Sequence, residues 1–331
     1  MGKKPKNKNI KRYISIAVRI IVSVGLFATL IILNLKNLAN IPELLKSLNI
    51  GFVLIGILFY FFGIALESPR WHSLLTAHNI FIPQTYLLGS VLIGFFYSTL
   101  LPTTVGGDAY RGIDMHRTFK IPLNKNILAI YLGRFLGVIS GIIFLIISFC
   151  LGMYKHLSKS LTLGFLIVFP IIIFIIVITV IPKKFKIDVL FGKIKFLKRF
   201  SNNILEFSNV LDSYKHKGKV VVISFMYSIL GNICTFISFY FTGLALKMNV
   251  SFLSYLFIVP TTWTISNIPI TLGGMGVRES TLVLLLKEFG VSSGSALTFS
   301  LIVLITNILI AASGGLVYII RNAAYRHKKE I

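Results

Sequence analysis

The sequence predicts an all-α, polytopic integral membrane bundle of about six to eight transmembrane helices. It also predicts two re-entrant broken-helix elements arranged as an inverted repeat. Three observations predict this class. Of 331 residues, 55% are hydrophobic and only 13% are charged, with a mean hydropathy of +0.85. A soluble domain carries roughly 25% charged residues, so lipid must face much of this chain. Secondly, the apolar runs Ile127–Leu151, Leu161–Ile181, Val220–Leu246 and Ala296–Ile320 each reach the roughly 20 residues that a spanning helix needs. Thirdly, a Pro/Gly/Arg segment occurs twice, each time at the end of a short apolar run.

Residues 1–13 form a basic tail, and Ile14–Leu33 behind it has no small-residue cleavage pattern. It reads as a retained first helix rather than a signal peptide. Ile50–Leu66 is the second span. Tyr86–Leu101 is short and runs into Leu-Pro-Thr-Thr-Val-Gly-Gly, which cannot continue a helix. The stretch Arg111–Lys125 that follows is basic, with Arg111, Arg117, Lys120 and Lys125 against Asp114. Basic stretches collect on the cytoplasmic side, so Tyr86–Leu101 is expected to dip in and return. Phe252–Ile268 ends in Pro-Ile-Thr-Leu-Gly-Gly and is expected to do the same from the other side. Both termini are then cytoplasmic in a cell membrane. A single membrane domain spans 14–320, with a basic connection at 182–219 and a basic tail at 321–331. Within the connection, Leu197, Phe200, Ile204, Phe207, Leu211 and Tyr214 recur at helical spacing, as in an amphipathic helix lying in the interface.

The net charge of +24 has the size of a nucleic-acid signature, but its placement in tails and between apolar runs fits anionic lipid instead. The expected partners are membrane lipids, with no nucleic acid. Cys150 and Cys234 lie inside apolar runs, so no disulfide framework is implied. Asp108, Asp114 and His116 are too few for a metal site, the histidines lack zinc spacing, and no cofactor is expected.

The two broken segments carry the chemistry. Pro102-Thr103-Thr104-Val105-Gly106-Gly107-Asp108-Ala109-Tyr110-Arg111 can be laid on Pro269-Ile270-Thr271-Leu272-Gly273-Gly274-Met275-Gly276-Val277-Arg278. Pro102 matches Pro269, Thr104 matches Thr271, Gly106 and Gly107 match Gly273 and Gly274, and Arg111 matches Arg278. One copy enters from each side, an arrangement recurrent in secondary transporters. Proline stops a helix, glycines allow positive φ and close approach, and freed amides can face a guest. The arginine adds a fork of donors matched to phosphate. Non-helical backbone at membrane depth is tolerable only where it is buried in protein or lines a cavity.

Other charges join this set. Glu67 and Arg70 stand three apart and can pair on one helix face. Arg70 is near a helix end and is expected to snorkel, whereas Arg134 lies deep in Ile127–Leu151, where a charge is costly. Gly133, Gly137 and Gly141 form a small-residue face suited to close helix packing. Glu279 follows Arg278 directly.

Together the segments Glu67-Ser68-Pro69-Arg70-Trp71, Leu101–Arg111, Gly133-Arg134 and Ile268–Glu279 resemble the flippase-like membrane domain of the lysylphosphatidylglycerol synthetase family, over nearly the whole chain. The resemblance implies a lipid-handling membrane protein with these motifs along the lipid path. Only eleven residues follow the last apolar run, so the soluble aminoacyl-transferase domain is expected to be absent, and with it lysylphosphatidylglycerol synthesis. Substrates proposed for the wider family are anionic phospholipids, aminoacylated phospholipids and polyprenyl-linked sugars. The expected function is therefore lipid translocation between leaflets rather than catalysis. The alternative is an intramembrane enzyme acting on a lipid phosphate or lipid-linked sugar.

Overall fold

The computed structural model describes residues 6–33, 41–101, 106–180, 211–267, 271 and 273–327. The described residues are helical, with no strand among them. In chain order the helices are α1 (Lys6–Leu33), α2 (Ile41–Lys46), α3 (Ile50–Ala65), α4 (Glu67–Thr76), α5 (Gln84–Leu100) and α6 (Gly106–Phe119). They continue as α7 (Leu123–Cys150), α8 (Lys159–Val180), α9 (Gly218–Ala245), α10 (Phe252–Ser266), α11 (Val277–Glu288) and α12 (Ser293–His327). Four stretches are long and apolar enough to cross a membrane: Ile50–Thr76, Leu123–Cys150, Gly218–Ala245 and Ser293–Ala323. Shorter apolar helices accompany them. The chain is thus a polytopic helical membrane protein. Most of the amphipathic helix expected across 197–214 lies outside the described residues.

Two long pairings make the frame. The α3–α4 stretch runs antiparallel to α9 along its whole length, from Asn49 N donating to Ala245 O at one end to Tyr214 Oη donating to Leu74 O at the other. Glycines set the separation. A Cβ on Gly56 would come within 3.1 Å of Ser238 O, and one on Gly63 within 3.1 Å of Gly231 O. The other pairing sets α12 against α5, where a Cβ on Gly314 would strike the Leu92 carbonyl. Small residues let helices approach this closely, and in lipid such contact replaces hydrophobic driving force.

Between these frames sit two helical hairpins. In the first, α5 and α6 run antiparallel. Tyr86 Oη donates to Asp114 Oδ1 at 3.0 Å, Ser90 Oγ donates to Asp114 Oδ2 at 2.7 Å, and Tyr97 stacks on Tyr110. Near the tip, a Cβ on Gly107 would collide with the Gly94 carbonyl and the Ser98 hydroxyl. Only glycine allows that approach. In the second hairpin, α10 meets α11, with Phe257 against Phe289 near the open end and Gly274 against Ser266 near the tip. Gly273 and Gly274 hold φ of +54° and +78°, as the loop's reversal requires.

The hairpins open toward opposite ends of α7. The first lies beside its N-terminal half, where Asn126 Nδ2 donates to Arg111 O at 3.2 Å. The second opens beyond its C-terminus, where Ser254 Oγ donates to Met153 Sδ at 3.7 Å. Their tips meet inside the bundle, since a Cβ on Gly273 would lie 3.2 Å from Ser98 O and 3.3 Å from Thr99 O.

Candidate functional site

Where the tips meet, the bundle holds a half-open cavity of about 580 Å³. Glu67, Arg70, Asp108, Arg111, Arg134, Gly273 and Arg278 all contribute to its wall. The charged positions singled out along the sequence therefore converge on one place, although they come from α4, α6, α7 and α11. Glu279 stands behind Arg278. Gly106 and Gly107 pack at the first tip against Leu101 and Gly94, and Gly274 packs against Ser266. These three are packing residues beside the cavity. Thr271 is buried, with its hydroxyl unpartnered. Pro102, Thr104 and Pro269 lie outside the described residues.

Each carboxylate is held by an arginine. Arg111 Nη2 donates to Glu67 Oε2 at 2.8 Å, Arg134 Nε lies 2.5 Å from Asp108 Oδ2, and Arg278 donates to Glu279 Oε1 through Nε and Nη2 at 3.0 and 2.8 Å. Glu279 is fully buried, and its other oxygen accepts from the Gly276 N–H at 2.7 Å. Glu279 thus caps α11 while fixing the Arg278 fork, two charge-assisted bonds from one side chain. Arg70 lies 3.9 Å from Glu67 and donates through Nη1 to Ser228 at 3.4 Å. Four arginines stand against three carboxylates, leaving one net positive charge. Arg111 Nε is buried without a protein partner, and the Trp71 ring lies 5.8 Å from its guanidinium.

Two expectations are corrected. Arg70 does not snorkel; its side chain is 14% exposed and points inward, while the deeper Arg134 is 40% exposed. Arg70 lies against Gly133 and Gly137 of α7. Those glycines do not bring two helices together. A Cβ on Gly137 would lie 3.1 Å from Arg70 Nη1, and one on Gly133 would lie 3.4 Å from Arg70 Nε. The missing side chains make room for a guanidinium, and the close backbone approach occurs instead at Gly56, Gly63 and Gly231.

The sequence reading missed the far wall. Asn232 and Thr235 from α9, Trp263 and Thr264 from α10, Asn267 at the C-cap of α10, and Asn307 from α12 also line the cavity. Tyr60 Oη donates to Asn307 Oδ1 at 2.9 Å and ties α3 to α12. A signal for α9 was present: Ser224, Ser228, Asn232, Thr235, Ser238 and Thr242 recur every three or four residues in an apolar helix.

Fold and site together define a polytopic membrane protein with a charged interior cavity between two opposed hairpins. The family model described as "Lysylphosphatidylglycerol synthase TM region" matches residues 16–314, and the chain belongs to that family. No curated protein matches the chain. Family membership supports a lipid-related role in the membrane.

Proposed function

We propose that the protein carries a lipid with an anionic, phosphate-containing headgroup between the leaflets of the cell membrane. One observation carries this reading: hairpins from opposite ends of the bundle meet at a cavity where four arginines outnumber three carboxylates. An ionisable side chain in a membrane segment is costly and is usually kept for function. A surplus guanidinium there awaits an anion, and its planar fork matches phosphate.

The two Pro-x-Thr-x-Gly-Gly segments constitute an inverted-topology repeat, with one half-site approached from each side. The end bearing Lys120, Lys125 and Lys215 faces the cytoplasm by the positive-inside rule. Val138 and Ile308, both apolar and half exposed, line the cavity beside its charges. The headgroup occupies the cavity while the acyl chains stay in hydrocarbon. The lipid's charge is then never bare in the bilayer core. No bond of the lipid is made or broken.

Reconstitution in liposomes with a fluorescent anionic phospholipid tests this. Accelerated transfer between leaflets, with the lipid recovered intact by mass spectrometry, is the expected result. Cleaved or modified lipid would make the protein an enzyme, and a transfer rate equal to that of protein-free vesicles would end the proposal.

A further inference from the structure

The proposed reading leaves the headgroup open among several phosphate lipids. We infer that the cavity selects a net-anionic phosphate headgroup bearing a hydroxyl-rich, uncharged group, a polyol or sugar, over an aminoacylated one. This inference rests on the translocation reading and narrows it.

A cationic amine on a headgroup needs an acid to receive it. Glu67, Asp108 and Glu279 are each already engaged by an arginine within 2.5–2.8 Å. Drawing Glu67 or Glu279 away would strand the buried guanidinium of Arg111 or Arg278, the costly half of a broken buried pair. Arg111 Nε by contrast is buried without a protein partner, and the cavity carries a surplus positive charge. The charged lining of the cavity therefore favours anions and opposes ammonium.

The same lining also holds neutral polar and aromatic side chains. Asn232, Thr235, Trp263, Thr264 and Asn267 are among them. Asn232 commits its amide N–H groups to Ser140 Oγ at 2.6 Å and Gly137 O at 3.4 Å. Its side-chain oxygen has no protein donor among the described residues, so it is open to a hydroxyl. Thr264 and Asn267 are exposed polar residues at the C-terminal end of α10; the Thr264 hydroxyl donates to Pro260 O at 2.7 Å and keeps its lone pairs for a ligand hydroxyl, while Asn267 can both donate and accept. Trp263 supplies an aromatic face beside them, a surface against which the C–H face of a polyol or sugar ring can pack. Uncharged donors, acceptors and an aromatic together recognise hydroxyls. A volume of about 580 Å³ exceeds what a bare phosphate requires.

The test uses the full chain in detergent micelles, titrated with short-chain phosphatidylinositol, phosphatidylglycerol, phosphatidic acid and lysylphosphatidylglycerol. Tryptophan fluorescence reports binding, because Trp263 lines the cavity and the other tryptophan, Trp71, lies 5.8 Å from the Arg111 guanidinium. The expected order places the inositol and glycerol lipids about tenfold tighter than phosphatidic acid and tighter still than the lysyl lipid. Asn232→Ala should erase most of the gap between phosphatidylinositol and phosphatidic acid by weakening phosphatidylinositol about tenfold and phosphatidic acid far less. Equal affinity for all anionic lipids would overturn the inference and leave the translocation reading standing. Tightest binding of the lysyl lipid would overturn it too. Failure of every phosphate lipid to bind would overturn both.

Discussion

Glu67 and Arg111, 44 positions apart in the chain, meet across 2.8 Å, and the pair fastens the start of α4 to the first hairpin. Neither side chain is neutralised from its own helix at closer range. Asp108 reaches Arg111 only at 4.0 Å, and Arg70 reaches Glu67 only at 3.9 Å. The pair is therefore both a strut between elements and the setting of the unpartnered Arg111 Nε.

Breaking this strut from one side should be worse than removing it whole. Glu67→Gln leaves Arg111 buried without its acid, the costly half of a broken buried pair. We expect Glu67→Gln and Arg111→Gln each to lower the melting temperature in detergent. The double variant should recover part of the loss, with a coupling of about 0.5–3 kcal/mol. Strictly additive losses would mean that the two residues do not support each other. Transport should be lost in all three.

The glycines at the first tip should differ sharply from one another. A Cβ on Gly107 would meet the backbone carbonyl of Gly94, which cannot yield without parting α5 from α6. A Cβ on Gly106 would meet only the Leu101 side chain, which can rotate away. Gly107→Ala should therefore cost about 1–3 kcal/mol as overpacking, and Gly106→Ala less. Gly164, which has nothing within 4 Å, is the neutral control. Thermal unfolding of the three alanine variants in one detergent ranks them.

Much of this arrangement was legible in the chain, because broken helices announce themselves through Pro-x-Thr-x-Gly-Gly and uncovered charge through arginines in apolar runs. The hairpin tips and the cavity's arginines were found that way. Partners were not legible. Arg111 with Glu67 and Arg134 with Asp108 are pairings of separate helices, and periodicity on one helix says nothing about its neighbour. Gly133 and Gly137 misled for a related reason, since an empty place on a helix face accommodates a backbone or an arginine equally well. Arg321 read as part of a basic tail. In the structure it lies over the Tyr86 ring and 3.3 Å from Asp114, closing the base of the first hairpin against α12.

Acid should weaken the join between α4 and α9. His78 follows α4 outside the spans, edge-on to Tyr214, with its Nε2 buried and unpartnered. Burial, reinforced by the charges of Lys217 and Lys125, holds its pKa below the ordinary 6.5. The unfolded chain then binds a proton at pH values where the folded one does not. Stability from this group is complete above about pH 6.5 and is lost as pH falls through the folded value. The melting temperature should decline on acidification from pH 7.5 to 5.5, and His78→Gln should flatten that decline. An unchanged slope in the variant would remove His78 from the account.

Orientation is checked by cysteine labelling in a background where Cys150 and Cys234 are serine. A membrane-impermeant reagent applied to cells should reach cysteines placed at Lys155 and Lys247. It should miss those placed at Lys120 and Lys215. Labelling at Lys120 with Lys155 would put both ends of α7 outside, and the first hairpin would have to cross rather than return.

The two matched arginines should respond differently to lysine. Arg278 gives both Nε and Nη2 to one oxygen of Glu279, so its fork is committed to the protein. An ammonium can hold that oxygen through a single bond, and the Glu279 cap on Gly276 can survive. Arg111 gives only Nη2 to Glu67 and leaves Nε without a protein partner. A lysine in its place keeps the charge but gives up the planar pair of donors that phosphate accepts. Arg111→Lys should therefore slow leaflet transfer about tenfold or more, some 1.4 kcal/mol in barrier, with little change in melting temperature. Arg278→Lys should lower the melting temperature as well as the rate, because its fork steadies the start of α11. Arg134→Lys, at the more exposed edge of the cavity, should slow transfer less than Arg111→Lys. Rates come from the liposome assay and melting temperatures from the same preparations. Equal rates for Arg111→Lys and the wild type would show that point charge alone suffices, and the case for a guanidinium cradle around phosphate would fall.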